Sequence, residues 1–453
     1  MTQCTQSTFE FATHERREVV ARFDGGTMSS DGGGLLLRET DRRLNLLSRF
    51  AQCFRDGRDP ARVKHPVEEM VSQRVYGLAL GYEDVNDHEQ LRDDPLLAVL
   101  AGKREVGEEP LAGKSTLNRL ELGPTEKNRY RKIGCQTEAI DELLTTVFLE
   151  AHTKAPERIV LDVDATDLPL YGHQEERFFH GYYDSYCYLP LYIFSGEHLL
   201  CARLRSASED AAAGSVTELE RIVKQIRTKW PGVRIIVRAD SGFCRDDLMD
   251  WCERNQVDYV LGLARNDRLE KRIVKPLRKA RGRFAVTGQA ARTFAEFYYR
   301  TRKSWSRRRR VVAKAEWLEK GSNPRFVVTT LGPREWRGPA LYEQLYCERG
   351  EAENRIKEQL SLFAGRVSAE SMRANQLRVY FAGIAYVLMT GLRRLGLQGT
   401  KMARAQATTI RLRLLKIGAR IRITARRVWL SMASSYPWQA LYGQVYAQLR
   451  GET

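Results

Sequence analysis

RIVLDVDATDLPLYG, residues 158–172, decides the fold. Its first half alternates as a half-buried strand does. Ile159, Leu161 and Val163 point to one face, and Asp162 and Asp164 share the other. Two acids on one face of an apolar strand are costly to bury unless they are paired or bound to a cation. Metal ligation is therefore expected for Asp162 and Asp164 together, with Asp164 at the strand's C-terminal end. Asp167, just beyond, reads as a carboxylate capping the next turn.

Downstream, SYCYLPLYIF (185–194) and HLLCARLRS (198–206) read as two more strands, with Ser195-Gly196 as the hairpin turn. Residues 209–228 form a helix with Val216, Leu219, Ile222, Val223 and Ile226 on one face. VRIIVRAD (233–240) is a strand, RDDLMDWCERN a helix and VDYVLGLA a strand. An antiparallel meander followed by a right-handed crossover is the order of an RNase H-like core. Val233, Ile235, Val237 and Ala239 share one face of the fourth strand, and Asp240 stands on the other, at its end. In that core the first and fourth strands are neighbours, so Asp164 and Asp240 converge. Gly242 permits a tight turn into the helix that follows. FAEFYYRT, RRRRVVAKAEWL and PRFVVTTL then read as strands of an inserted β-subdomain.

After the insertion, Tyr346, Arg349, Glu353 and Lys357 stand at offsets 0, 3, 7 and 11 on a helix, which places them on one face at 3.6 residues per turn. On spacing alone, a surface stripe of ion pairs such as Glu353–Lys357 is the simpler reading. Chemistry ties the helix to the strands. Two Mg²⁺ ions about 4 Å apart can activate a water or a 3′-hydroxyl and stabilise the leaving oxygen of a phosphodiester. Mn²⁺ can substitute. Hard cations take carboxylate oxygens. Asp164 would bridge both ions, Asp240 and Glu353 would each hold one, and Arg349 and Lys357 would meet DNA phosphates beside Tyr346.

The chain's 453 residues carry a net charge of +17. Between Glu370 and Glu452 there is no acid, while fourteen Lys and Arg stand there, Arg411, Arg413 and Arg420 among them. Folding does not require 80 residues without an acid; binding a polyanion explains it, because each neutralised phosphate releases a counterion. A solvated cationic face or a membrane-surface helix is the alternative. No charge-free run spans a membrane, and charges stand in MTQCTQSTFEFATHERREVV where a signal peptide is apolar. A cytoplasmic, nucleoid-associated protein without a membrane partner is expected. Eight scattered cysteines with no Cys-x-x-Cys pair argue for free thiols rather than zinc. Ala112-Gly-Lys-Ser-Thr116 lacks the upstream glycine and strand of a phosphate-binding loop; Ser115 reads as a helix cap. A Ser30-Asp31 cap likewise starts a helix at LLLRETDRRL.

The chain resembles bacterial DDE-type insertion-sequence transposases, in particular the insertion-sequence thirteen-eighty family. The resemblance rests on SSDGGGLLLRE, GYEDVNDHEQLRDDP, LAGKSTLNRLE, DVDATDLPLYG, FFHGYYDSYCYLPLYIF, VRADSGF and YCERGEAENRIKE. It matches an Asp-x-Thr motif to Asp164-Ala-Thr166, the second Asp to Asp240, and a Tyr-x-x-Arg-x-x-x-Glu helix to Tyr346, Arg349 and Glu353. It implies a metal-dependent enzyme that cuts the ends of an element at terminal inverted repeats and joins them to target DNA, as a homodimer on DNA. The wider signature has a Lys seven residues after the Glu; here that position is Leu360, with Lys357 three residues before it. A nuclease without strand transfer and an inactive DNA-binding relative are the rivals. The expected organisation is α/β: an RNase H-like mixed-sheet catalytic core (151–274 and 338–370) with a β-rich insertion (275–337). A helical N-terminal region for DNA ends or dimerisation (1–150) and a basic helical C-terminal region (371–453) flank it.

Overall fold

The structure, a computed structural model, describes residues 8–122 and 132–451; Cys4 and Glu452 lie outside them. The chain forms two compact units. Residues 136–360 and 364–383 make a sheet unit; residues 1–135, 361–363 and 384–453 make a terminal unit.

In the sheet unit the elements run β1 (Arg158–Ala165), β2 (Leu191–Ser195), β3 (His198–Arg203), α1 (Ser215–Lys229), β4 (Arg234–Ala239), α2 (Asp246–Arg254) and β5 (Asp258–Leu263). Their order across the sheet is β3-β2-β1-β4-β5. β2 is antiparallel to β1 and β3, whereas β1, β4 and β5 are mutually parallel. Parallel strands need cover on both faces. Leu161, Val163, Ile235 and Val237 meet Leu219 and Ile222 of α1 on one side. Ile236 and Val260 meet Leu341 and Leu345 on the other. Gly196 turns the β2–β3 hairpin at φ +59°.

SYCYLPLYIF is two strands. Ser185–Tyr188 pairs with Leu168–Pro169 and Phe178–His180 in a separate small sheet. Pro190, which has no N–H to donate, marks the break. The segment expected as a β-insertion opens with a helix, α3 (Val274–Thr287), followed by β6 (Ala291–Tyr299), β7 (Arg309–Leu318) and β8 (Arg325–Thr329). Only Ala280 of α3 is buried, so the helix has little apolar periodicity to read. β8 pairs antiparallel with β5, so these strands continue the core sheet as β5-β8-β7-β6, with Gly321–Ser322 paired to β7. Pairing satisfies the β5 edge that would otherwise be open. The helix Thr137–Glu150, read from sequence as part of the N-terminal region, packs here through Phe148 and Leu149.

The terminal unit is built from helices Gly34–Leu44, Leu46–Gln52, Val67–Leu80, Pro95–Leu100 and Lys114–Glu121, with C-terminal segments packed among them. Leu36, Leu37, Leu46 and Leu47 are buried in it. Asp31 caps no helix with its side chain; Gly33 is the cap residue. Instead Asp31 accepts a hydrogen bond from Tyr82 at 2.6 Å and pairs with Lys416 at 2.6 Å. Gly32 and Gly33 donate their N–H groups to the carbonyls of Ile417 and Leu415. A Cβ on Gly33 would lie 2.0 Å from the Leu414 carbonyl oxygen, so only glycine fits. Ser115 is no cap either: Gly113 precedes the Lys114 helix, and Glu89 accepts from the Lys114 N–H.

The C-terminal region is not wholly helical. β9 (Ala419–Thr424) and β10 (Arg427–Met432) form a hairpin, and β9 also pairs with Met28–Ser29. The alternation in ARIRIT is a strand signal that basic composition hid. All seven described cysteines are free. No helix among the described residues is long and apolar enough to cross a membrane.

Candidate active site

β1 and β4 are paired in register, with Asp162 opposite Arg238 and Val163 opposite Ala239. The next residues along are Asp164 and Asp240, so both acids end adjacent parallel strands. Asp240 opens a 3₁₀ turn, and its Oδ1 accepts from the Gly242 N–H at 2.8 Å. Asp164 is buried, and its Oδ1 accepts from the Ala165 N–H at 2.9 Å.

The third acid arrives on an irregular helix. Leu341–Tyr346 is wound as a π-helix, Cys347–Arg349 as 3₁₀, and only α4 (Gly350–Leu360) is regular. The even 3.6-residue spacing expected from Tyr346 onward is interrupted only between Tyr346 and Arg349, and Glu353 and Lys357 stand on regular helix; the π-helical turn lies just before the stripe, and such turns recur at functional sites. Arg349 nevertheless donates to Asp164 Oδ2 at 3.1 Å and to Glu353 Oε1 at 2.8 Å. Burial pushes the Asp164 carboxyl up to about 6; Arg349 and the Ala165 N–H oppose the shift, and the charges of Asp240 and Glu353 add to it. Burial opposes the Arg349 charge too, but Asp164 and its neighbours hold that pKa above the ordinary value. Burial likewise raises the Tyr346 hydroxyl.

Asp162, expected beside Asp164 as a metal ligand, has both carboxylate oxygens engaged by an arginine. Arg238 grips it with two bonds, Nε to Oδ1 at 2.5 Å and Nη2 to Oδ2 at 2.8 Å. Arg238 also donates to the Leu345 carbonyl at 2.5 Å and reaches Glu348 at 3.3 Å. One guanidinium therefore ties β1, β4 and the irregular helix together. Burial opposes the Arg238 charge, but Asp162 keeps its pKa raised. Sequence reading passed over Arg238, although strand alternation puts it on the Asp162 face. It also passed over Gly262 of β5. A Cβ there would lie 2.6 Å from the Tyr346 hydroxyl and 2.8 Å from the Ser241 nitrogen. This bare position lets the tyrosine and the Asp240 turn close over the sheet.

Lys357 is exposed on α4 and pairs with no acid among the described residues; the Glu353–Lys357 pair does not form. Arg411 faces inward within the terminal unit, donating to the carbonyls of Ala79, Leu78 and Ser361. Its donors serve protein carbonyls rather than solvent. Arg413 and Arg420 are exposed there, Arg413 over the Trp438 ring at 5.7 Å. Asp167 stands in irregular chain just before the short strand Leu168–Pro169.

The acidic donors are all carboxylate oxygens, the type hard divalent cations take, and buried Asp164 lacks full charge compensation. Among the described residues no three His, Cys, Asp or Glu side chains stand close enough to enclose an ion; Glu353 is turned to Arg349. By donor chemistry the carboxylates of Asp164 and Asp240 are of the type a divalent ion takes, whereas Glu353 is bonded to Arg349.

The family described as Transposase DDE domain group 1 matches residues 11–452. The chain is also similar to a cryo-EM structure of a piggyBac transposase synaptic complex with hairpin DNA. The match covers 94% of this chain and 82% of that one, at 10% identity and a TM-score of 0.41. No curated protein matches.

Proposed function

The chain belongs to the transposase DDE domain group 1 family and is a DNA transposase; from that premise we propose that Asp164, Asp240 and Glu353 are its catalytic acids. The observation that carries this is the register: Asp164 and Asp240 end neighbouring parallel strands, and Arg349 joins Asp164 to Glu353. The β3-β2-β1-β4-β5 order supports an RNase H-like core. The motifs from SSDGGG to YCERGEAENRIKE support the bacterial insertion-sequence thirteen-eighty family.

The acids would hold divalent ions, Mg²⁺ with Mn²⁺ as substitute, which supply an activated nucleophile and stabilise the leaving oxygen of the phosphodiester. This chain's residues do the positioning. Asp164 and Asp240 fix the reaction centre to the rigid sheet. Arg349, released from the acids, faces the phosphate being cut, as a guanidinium suits that planar recognition. Tyr346 and Lys357 flank the same strand of DNA. The substrates are element ends with terminal inverted repeats, then target DNA, handled by a homodimer because two ends must be joined.

The experiment is a strand-transfer assay with duplexes from each side of the gene, a supercoiled plasmid and Mg²⁺. Transposition predicts 3′ ends that are cut and then joined to plasmid. Cut ends that never join would mean a nuclease; binding without cleavage in Mg²⁺ or Mn²⁺ would mean an inactive relative.

A further inference from the structure

The β9–β10 hairpin is bare from Arg422 to Trp429: all eight residues are exposed. Alternation sorts them into two faces. Arg420, Arg422, Arg427 and Trp429 lie on one face, with Arg422 directly opposite Trp429 across the strands. Trp429 is 45% exposed, and its ring lies under two guanidinium groups, Arg422 at 5.9 Å and Arg427 at 5.5 Å. Ile421, Ile423, Val428 and Leu430 lie on the other face; Ile421 is buried, Ile423 and Val428 are exposed, and a Cβ on Gly107 would meet Ile423 Cδ1 at 2.8 Å. Arg426 stands in the turn. No acid occurs in the chain between Glu370 and Glu452.

The base of the hairpin is firmly seated. Ala419 and Arg420 pair with Met28–Ser29, Ile421 donates to the Thr27 carbonyl, and the Gly32-Gly33 and Asp31–Lys416 contacts hold the segment just before it. The SSDGGG motif is thus the foundation of a projecting basic arm.

We infer that this hairpin is a DNA-reading ribbon that enters the major groove of duplex DNA with its Arg420-Arg422-Trp429-Arg427 face. The inference rests on the transposase reading for its partner. It adds which surface meets the duplex and how. A two-stranded ribbon has the width the B-form major groove admits. The arginines reach the phosphates and base edges that line the groove, and the indole supplies apolar contact. Closely spaced like charges repel one another in the free protein, and phosphates relieve that repulsion.

The test is a fluorescence-anisotropy titration of the full chain with a labelled 40-base-pair duplex across a range of salt. Arg422→Ala/Arg427→Ala should bind at least tenfold more weakly and flatten the slope of log K against log[salt] by about 2, since each phosphate contact contributes about 0.9. Trp429→Ala should weaken binding with the slope unchanged, and Trp429→Phe should restore part of it. These side chains are exposed, so the melting temperature should stay within a few degrees of wild type. A double variant with wild-type affinity and slope overturns the ribbon. So does a loss that tracks a change in oligomeric mass. If the wild-type chain does not bind the duplex at all in low salt, the transposase reading itself fails, which separates the two.

Discussion

Asp162 and Asp164 are two residues apart on one face and burial raises both carboxyls, yet their substitution should have opposite effects, because Arg238 grips both oxygens of Asp162. Asp164 has its pKa raised from 3.8 to about 6 by burial. A raised carboxyl favours the folded state while neutral; that contribution is present below about pH 4 and is lost as pH rises through 6. At pH 8 the buried charge is a cost to folding. Asp164→Asn should therefore melt at or slightly above the wild-type temperature at pH 8, with the gap closing toward pH 5. Mg²⁺ should raise the melting temperature of wild type but not of this variant, since an ion that binds only the folded state stabilises it. A variant that melts well below wild type at pH 8 would refute the placement of Asp164. Asp162→Asn breaks a buried two-bond pair and strands Arg238, which should cost about 3 kcal/mol. Chemical denaturation measures this; a loss within error of zero would mean that Arg238 does not tie β1 to the irregular helix.

At the scale of elements, the strand ends are fixed but the helix that brings Glu353 depends on close approach. Gly262→Ala places a methyl against the Tyr346 hydroxyl and the Ser241 nitrogen. A displacement near 1 Å at a reaction centre costs on the order of a hundredfold in rate. Single-turnover cleavage should fall at least tenfold while DNA affinity stays within twofold; wild-type cleavage would show that the contact is slack. The sequence made β1, β4 and their acids legible, because alternation is a property of each strand alone and register follows from topology. It did not reveal the partner of Asp162, because that ion pair crosses two strands. The winding of Leu341–Arg349 was hidden for another reason. Neither a π-helical nor a 3₁₀ turn leaves a composition mark, so neither is legible in the sequence. The β9–β10 hairpin was missed because fourteen Lys and Arg without an acid drew the eye to charge rather than to the period-two pattern beneath it.

Over the whole molecule, N- and C-terminal segments fold into one unit, so the C-terminus is not a removable tail. Leu414, Leu415, Ile417, Val445 and Leu449 are buried in that unit. Deleting residues 401–453 should destroy the cooperative melting of the terminal unit, and a truncated chain that melts as wild type does would contradict this. The buried leucines from Leu36 to Leu47 serve this unit's own core, so assembly should follow DNA: light scattering should give a monomer mass alone and two chains per complex with paired ends. One chain on one end, active in strand transfer, would refute that. The most direct measurement of the three-acid site is cleavage of end-bearing duplex in Mg²⁺ by wild type, Asp164→Asn, Asp240→Asn and Glu353→Gln, with DNA affinity measured on the same samples. Each amide keeps the shape and removes the charge that would hold the ions. The expected result is cleavage lost at least a thousandfold in all three variants with affinity within a few fold of wild type; full cleavage by any one of them would remove that residue from the site.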